Sequence, residues 1–153
     1  MPRDTVPSLL FMKITTEKQT IQLGKKIIKD LRGGDILCLY GNLGAGKTTL
    51  SKGIARGLGI KKEITSPTFT LMNVYPIQNS KITARNLCHI DTYRLKNEND
   101  LLEIGAEDYL GAPDTICIIE WPEKIEGILK NKKVKKIIIE HTEENKREIK
   151  IEF

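Results

Sequence analysis

Residues 39–49, Leu-Tyr-Gly-Asn-Leu-Gly-Ala-Gly-Lys-Thr-Thr, restrict the possible folds of this chain more than any other stretch. Gly41 to Thr48 has the form G-x-x-x-x-G-K-[ST], which wraps phosphate groups when a strand precedes it and a helix follows. Both flanks comply. Ile36-Leu37-Cys38-Leu39-Tyr40 is a short apolar run suited to a strand buried on both faces. Leu50, Ile54 and Leu58 recur at helical spacing behind the loop.

The residue types explain the expected chemistry. Gly41, Gly44 and Gly46 let backbone N–H groups approach an anion closely, and the positive end of a helix starting near Gly46 adds to the attraction. Lys47 is expected to supply a positive charge to β- and γ-phosphates, and the Thr48 hydroxyl to ligate Mg²⁺. Asn42, Leu43, Gly44, Ala45, Gly46, Lys47, Thr48 and Thr49 are the expected nucleotide contacts of the loop.

The remaining elements read as an α/β chain. A strand is expected over Leu9–Thr15, then a helix opened by Thr16 with Gln19 reaching back in a capping box, and closed by Gly33-Gly34. Residues 68–77 and 81–90 read as a two-stranded ribbon inserted after the loop helix, with Gln78-Asn79-Ser80 as its turn. Asn97–Gly111 reads as short helix and Thr115–Ile119 as another doubly buried strand. Val134–Ile139 and Arg147–Phe153 read as a C-terminal antiparallel hairpin. The expected architecture is therefore a three-layer α/β fold of the P-loop NTPase type, with a mixed sheet, an inserted β-ribbon and a C-terminal β-hairpin. At 153 residues it is expected to form one domain, 1–153.

A phosphate loop needs a second carboxylate for the metal and a group that orients the attacking water. Such acids belong at the carboxyl ends of buried strands. Glu120, after Thr115–Ile119, and Asp91, after Asn86–Ile90, both fit, with Glu120 the better metal acid. Which of the two touches the metal is open at this stage. Lys47, Asp91 and Glu120 are thus the candidate catalytic residues, and Thr48 and Glu120 the candidate metal ligands. His89 reads equally as an orienting, packing or chemical group, and Arg94 as a phosphate contact or a partner for an acid such as Glu120.

Four segments in order, Gly41–Thr49, Ser66-Pro67-Thr68-Phe69-Thr70-Leu71, His89-Ile90-Asp91-Thr92-Tyr93-Arg94-Leu95 and Ile119-Glu120-Trp121-Pro122-Glu123, resemble the TsaE (YjeE) family over nearly the whole chain. That resemblance implies a protein that binds ATP and Mg²⁺ and hydrolyses ATP slowly alone. It implies work with TsaB- and TsaD-type transferase partners in making threonylcarbamoyladenosine beside the anticodon, with tRNA contacted indirectly. By the same resemblance, Ser66–Thr70 is a switch-like loop, Asp91 lies near metal and water, and Glu120 is the magnesium carboxylate. Trp121 matches the aromatic residue after that carboxylate, Glu17 a residue near the nucleotide, and Arg147, more loosely, a basic residue of the terminal hairpin. Asn42 stands where many relatives carry Asp.

Competing readings are weaker. Guanine recognition by Asn-Lys-x-Asp has no match, since Asn131-Lys132-Lys133-Val134 and Asn145-Lys146-Arg147-Glu148 both lack the aspartate. A small-molecule kinase needs an arginine-bearing lid, and the six arginines are scattered. A nucleotide-gated binding module without essential hydrolysis is the alternative from another class. The net charge is +5, and Lys124–Lys136 holds six lysines against Glu126, reading as a solvated face ahead of a nucleic-acid surface. No apolar run reaches membrane-spanning length, and Cys38, Cys88 and Cys117 stand apart from one another, so a cytoplasmic protein with small buried thiols is expected.

Overall fold

The computed structural model describes residues 10–67, 69–79, 81–143 and 146–153. Leu9, Thr68 and Ser80, which enter the expected strand, switch segment and turn, lie outside them. Seven strands form one sheet in the order β1-β7-β6-β2-β5-β4-β3. They are β1 Leu10–Ile14, β2 Ile36–Tyr40, β3 Met72–Pro76, β4 Asn86–Asp91, β5 Thr115–Glu120, β6 Lys135–Glu143 and β7 Lys146–Glu152. β6, β2, β5 and β4 run parallel, and β7 and β3 antiparallel to their neighbours. The sheet is therefore mixed, as expected.

The central strands alternate between two cores because successive side chains point to opposite faces. Leu37, Leu39, Ile116 and Ile118 pack with Leu23, Ile27, Leu50 and Ile54 from α1 (Glu17–Ile27) and α2 (Lys47–Gly57). Ile36, Cys38, Cys117 and Ile119 pack on the opposite face with Leu101 of α3 (Glu98–Glu103) and Leu129 of α4 (Glu126–Leu129). Three layers result. All three cysteines are buried and free. Burial pushes the Cys38 thiol up to about 12, so it stays protonated and inert.

Local departures from the expected pattern have physical causes. Thr16 caps α1 by accepting from Gln19 N–H, but Gln19 Oε1 reaches one residue further back, to the Thr15 amide at 2.8 Å. The α-helix stops at Ile27 and tightens into a 3₁₀ turn over Ile28–Asp30, and Leu31 is still buried. The ribbon after α2 is shorter than expected, and β4 also pairs in parallel with β5. It is thus the antiparallel border of the main sheet, and β4 carries Asp91 alongside Glu120 at the end of β5.

Candidate functional site

β2 ends at Tyr40 and the chain turns through the phosphate loop into α2, whose N-cap is Gly46 with φ 110°. A side chain there would be strained, and a Cβ would also meet Arg147 Nη1 at 2.8 Å. β4 and β5 end side by side beneath the loop, with Asp91 and Glu120 as register partners. Leu87, Ile116 and Ile118 share the α1/α2 core, so His89, Asp91 and Glu120, an even number of residues on along each strand, also face α2.

One cavity of about 290 Å³ collects the loop and the strand ends. Gly44, Gly46, Lys47, Thr48 and Thr49 line it with Asp91, Glu120, Ser66, Tyr93, Trp121 and Arg147, and the exposed Leu43 sits at its mouth. Ala45 is buried beneath the loop, and Asn42 faces a separate depression beside Trp121 and Glu140. A second cavity of about 310 Å³ adjoins the first through Thr49 and Arg147 and is lined by Thr15, Thr16 and Glu17. Every residue expected to contact the nucleotide except Asn42 and Ala45 lines one of these two spaces.

The polar groups of the site are tightly interlocked. The Thr48 hydroxyl donates to Glu120 Oε1 at 2.9 Å, and Glu120 Oε2 lies 2.5 Å from His89 Nε2. Asp91 Oδ2 accepts from the Ser66 hydroxyl at 2.8 Å, and Oδ1 from the Tyr93 amide at 3.0 Å. Asp91 and Glu120 are only 6% and 2% exposed, which makes these partners necessary for charged carboxylates. Lys47 donates to the Gly41 carbonyl, and its Nζ lies 3.3 Å from the centre of the Trp121 ring. Burial lowers the pKa of its ammonium, while Glu120, Glu123 and Asp91 pull in the other direction.

Trp121 holds a left-handed backbone, φ 62°, which is uncommon for a bulky residue. Thr92 fastens it by donating to its carbonyl at 2.5 Å, and Tyr93 packs on the indole with ring centres 5.0 Å apart. Sequence reasoning left His89 undecided and placed neither Tyr93 nor His141 in the site. His141 Nε2 lies 3.0 Å from the Gly44 carbonyl, and its register partner on β7 is Arg147. Only the pairing of the terminal hairpin brings both to the phosphate loop, a relation with no local signal.

Arg94 does not pair with Glu120. It lies over the Phe69 ring at 5.0 Å, outside the cavity. The Lys124–Lys136 patch is likewise divided: Lys135 pairs with Asp35 at 2.9 Å, Lys132 with Glu107 at 3.7 Å, and Lys124 donates to the Tyr93 carbonyl. No described helix is long and apolar enough to cross a membrane.

Thr48 and Glu120 offer hard oxygen donors at a helix N-terminus beside a cluster of loop amides, which suits Mg²⁺ held mainly through phosphates and water. Among the described residues no group of three or more metal-binding side chains exists that would cage a metal alone.

Comparison with known proteins agrees with this geometry. Residues 14–149 match the family model for the threonylcarbamoyl adenosine biosynthesis protein TsaE. The tRNA threonylcarbamoyladenosine biosynthesis protein TsaE of Aquifex aeolicus is 35% identical over 90% of this chain and 92% of its own. The protein of that name from Treponema pallidum is 42% identical over 71% of this chain and 75% of its own. In three dimensions, the crystal structure of Bacillus subtilis YdiB superposes with a TM-score of 0.71 at 30% identity, covering 94% of this chain and 84% of that one. With its P-loop NTPase-like fold and a family match that runs through every segment of the site, the chain belongs to the TsaE family of threonylcarbamoyl adenosine biosynthesis proteins.

Proposed function

We propose that this chain binds ATP with Mg²⁺ and hydrolyses it, slowly alone, within tRNA threonylcarbamoyladenosine biosynthesis. The observation that carries the reading is the convergence of Lys47, Thr48, Asp91 and Glu120 on one cavity at the N-terminus of α2. The adjoining space between Glu17, Thr49 and Arg147 supports a ligand longer than a phosphate chain, with room for a ribose and a base.

Lys47 balances charge on the β- and γ-phosphates, and the amides of Gly44, Gly46 and Lys47 cradle them. Thr48 and Glu120 would hold Mg²⁺, which supplies neutralisation of the charge developing between those phosphates. Asp91 orients the attacking water with the lone pairs left over from Ser66 and Tyr93. The Ser66–Thr70 segment is tied to Asp91 at both ends, through the Ser66 hydroxyl and through the Asp91 amide, which donates to the Leu71 carbonyl at 3.0 Å. Loss of the γ-phosphate therefore has a direct route to that segment, which is also where Phe69 stands exposed. Among the described residues Arg147 is the arginine that lines the cavity, and TsaB- and TsaD-type partners are proposed to complete the site and to read its nucleotide state.

The test combines calorimetry with phosphate release. Purified protein should bind a non-hydrolysable ATP analogue with Mg²⁺, release phosphate from ATP without any small acceptor, and release it faster once TsaB- and TsaD-type proteins are added. Absence of any heat with the nucleotide, alone and with those partners, would refute the reading.

A further inference from the structure

His89 is fully buried, its ring contacts Glu120, and it does not line the cavity. Its contact with the site therefore runs through Glu120. Among the described residues its Nδ1 has no hydrogen-bond partner. A carboxylate oxygen accepts, so the His89 Nε2 that lies 2.5 Å from it donates its N–H to Glu120. The two oxygens of Glu120 thereby differ: Oε2 is taken by His89 at 2.5 Å, and Oε1 faces Thr48 at 2.9 Å.

We propose that His89 is a positioning residue that restricts Glu120 to one metal-facing oxygen and so sets the site's preference for Mg²⁺ over Ca²⁺. This rests on the ATP–Mg²⁺ reading and deepens it. Ca²⁺ gathers six to eight oxygens and often takes a carboxylate through both, while Mg²⁺ is octahedral and takes one. With Oε2 held by an imidazole N–H on a neighbouring strand, Glu120 cannot turn both oxygens toward an ion beside Thr48. Groups that orient a metal ligand from behind typically change metal affinity by about 10- to 100-fold when removed.

The experiment is calorimetric titration of a non-hydrolysable ATP analogue in Mg²⁺ and, separately, in Ca²⁺, with thermal melting without either as the check on folding. The wild-type chain should bind the analogue more tightly in Mg²⁺. H89L should lose about tenfold or more of the Mg²⁺-supported affinity while losing less in Ca²⁺, so the ratio narrows. H89Q, whose amide nitrogen can stand where Nε2 stands, should keep the ratio. An unchanged ratio in H89L overturns the proposal. H89F, which keeps a flat ring, takes its place if H89L does not fold. If neither folds, the wild-type comparison decides, and equal affinity in the two ions overturns the proposal. Failure of the parent reading looks different, since the wild-type chain would then bind the analogue with neither ion.

Discussion

The Thr48 hydroxyl donates directly to Glu120 Oε1, joining the first turn of α2 to the end of β5. The bond spans 72 positions in the chain. Replacing Glu120 by Gln keeps the volume and, with its oxygen turned to His89 and its amide N–H donating to the Thr48 hydroxyl, both contacts, but removes the charge that would face the metal. E120Q should retain the fold, lose Mg²⁺-dependent hydrolysis almost completely, and lose about tenfold or more of the Mg²⁺-supported nucleotide affinity, no less than H89L. E120A should also lose stability, because it empties a site that is 2% exposed and strips His89 of its partner. A loss of about 2–4 kcal/mol is expected from chemical denaturation. Equal stability of E120A and E120Q would show that the His89 contact contributes nothing.

Two glycines let α1 cross α2 closely. A Cβ on Gly24 would lie 2.6 Å from the Ile54 amide nitrogen, and one on Gly53 would lie 2.5 Å from the Ile21 carbonyl oxygen. Both obstacles are backbone, so no side chain can turn aside. G24A and G53A should each destabilise the protein by about 2 kcal/mol or more, although alanine is the better helix former. The check is denaturant unfolding, with G127A as a contrast: there the obstacle is the Glu98 carboxylate, a flexible group that can swing away.

That helix crossing also marks where sequence reasoning stops. The phosphate loop was legible because its function is local, and Asp91 and Glu120 because buried apolar strands announce their own ends. Gly24 and Gly53 look like ordinary helix-weakening residues until the two helices are brought together. His89 was undecided because its partner lies on another strand, and only the register of β4 on β5 places both on the α2 face. The lysines of 124–136 looked like one patch because Asp35 and Glu107, which pair with Lys135 and Lys132, are distant in sequence.

Lys47 should make the free protein less stable. Burial holds its pKa below the ordinary 10.5, so the native state binds this proton more weakly than the unfolded chain does. Below the folded pKa both states are protonated and the native state bears the whole penalty. The penalty fades as pH rises through the folded pKa and is gone above 10.5, where neither state is charged. K47M should therefore melt at a higher temperature than the wild type near pH 7, with the gap closing as pH approaches 10.5. On the proposed ATP reading the same variant should also lose nucleotide binding. A gap that is constant or grows with pH would show that burial does not dominate at Lys47.

Arg147 reaches the phosphate loop from β7, lines both cavities, and lies where a side chain on Gly46 would go. Its planar fork suits a polyphosphate bridging the two spaces, and a charged hydrogen bond contributes about 1.5–3 kcal/mol. R147A should weaken ATP binding by about tenfold or more, and R147K should recover only part of this because a single ammonium cannot hold two oxygens at once. AMP affinity should change less, which separates a contact to the phosphates from one to the base. Gly46 supplies the control. G46A pushes a methyl group against the guanidinium and also forces alanine to φ 110°, so removing Arg147 can relieve only the first problem. The double variant G46A/R147A should therefore bind nucleotide no better than G46A. Recovery in the double variant would show that crowding by Arg147, and not backbone conformation, is what makes glycine necessary at the head of α2.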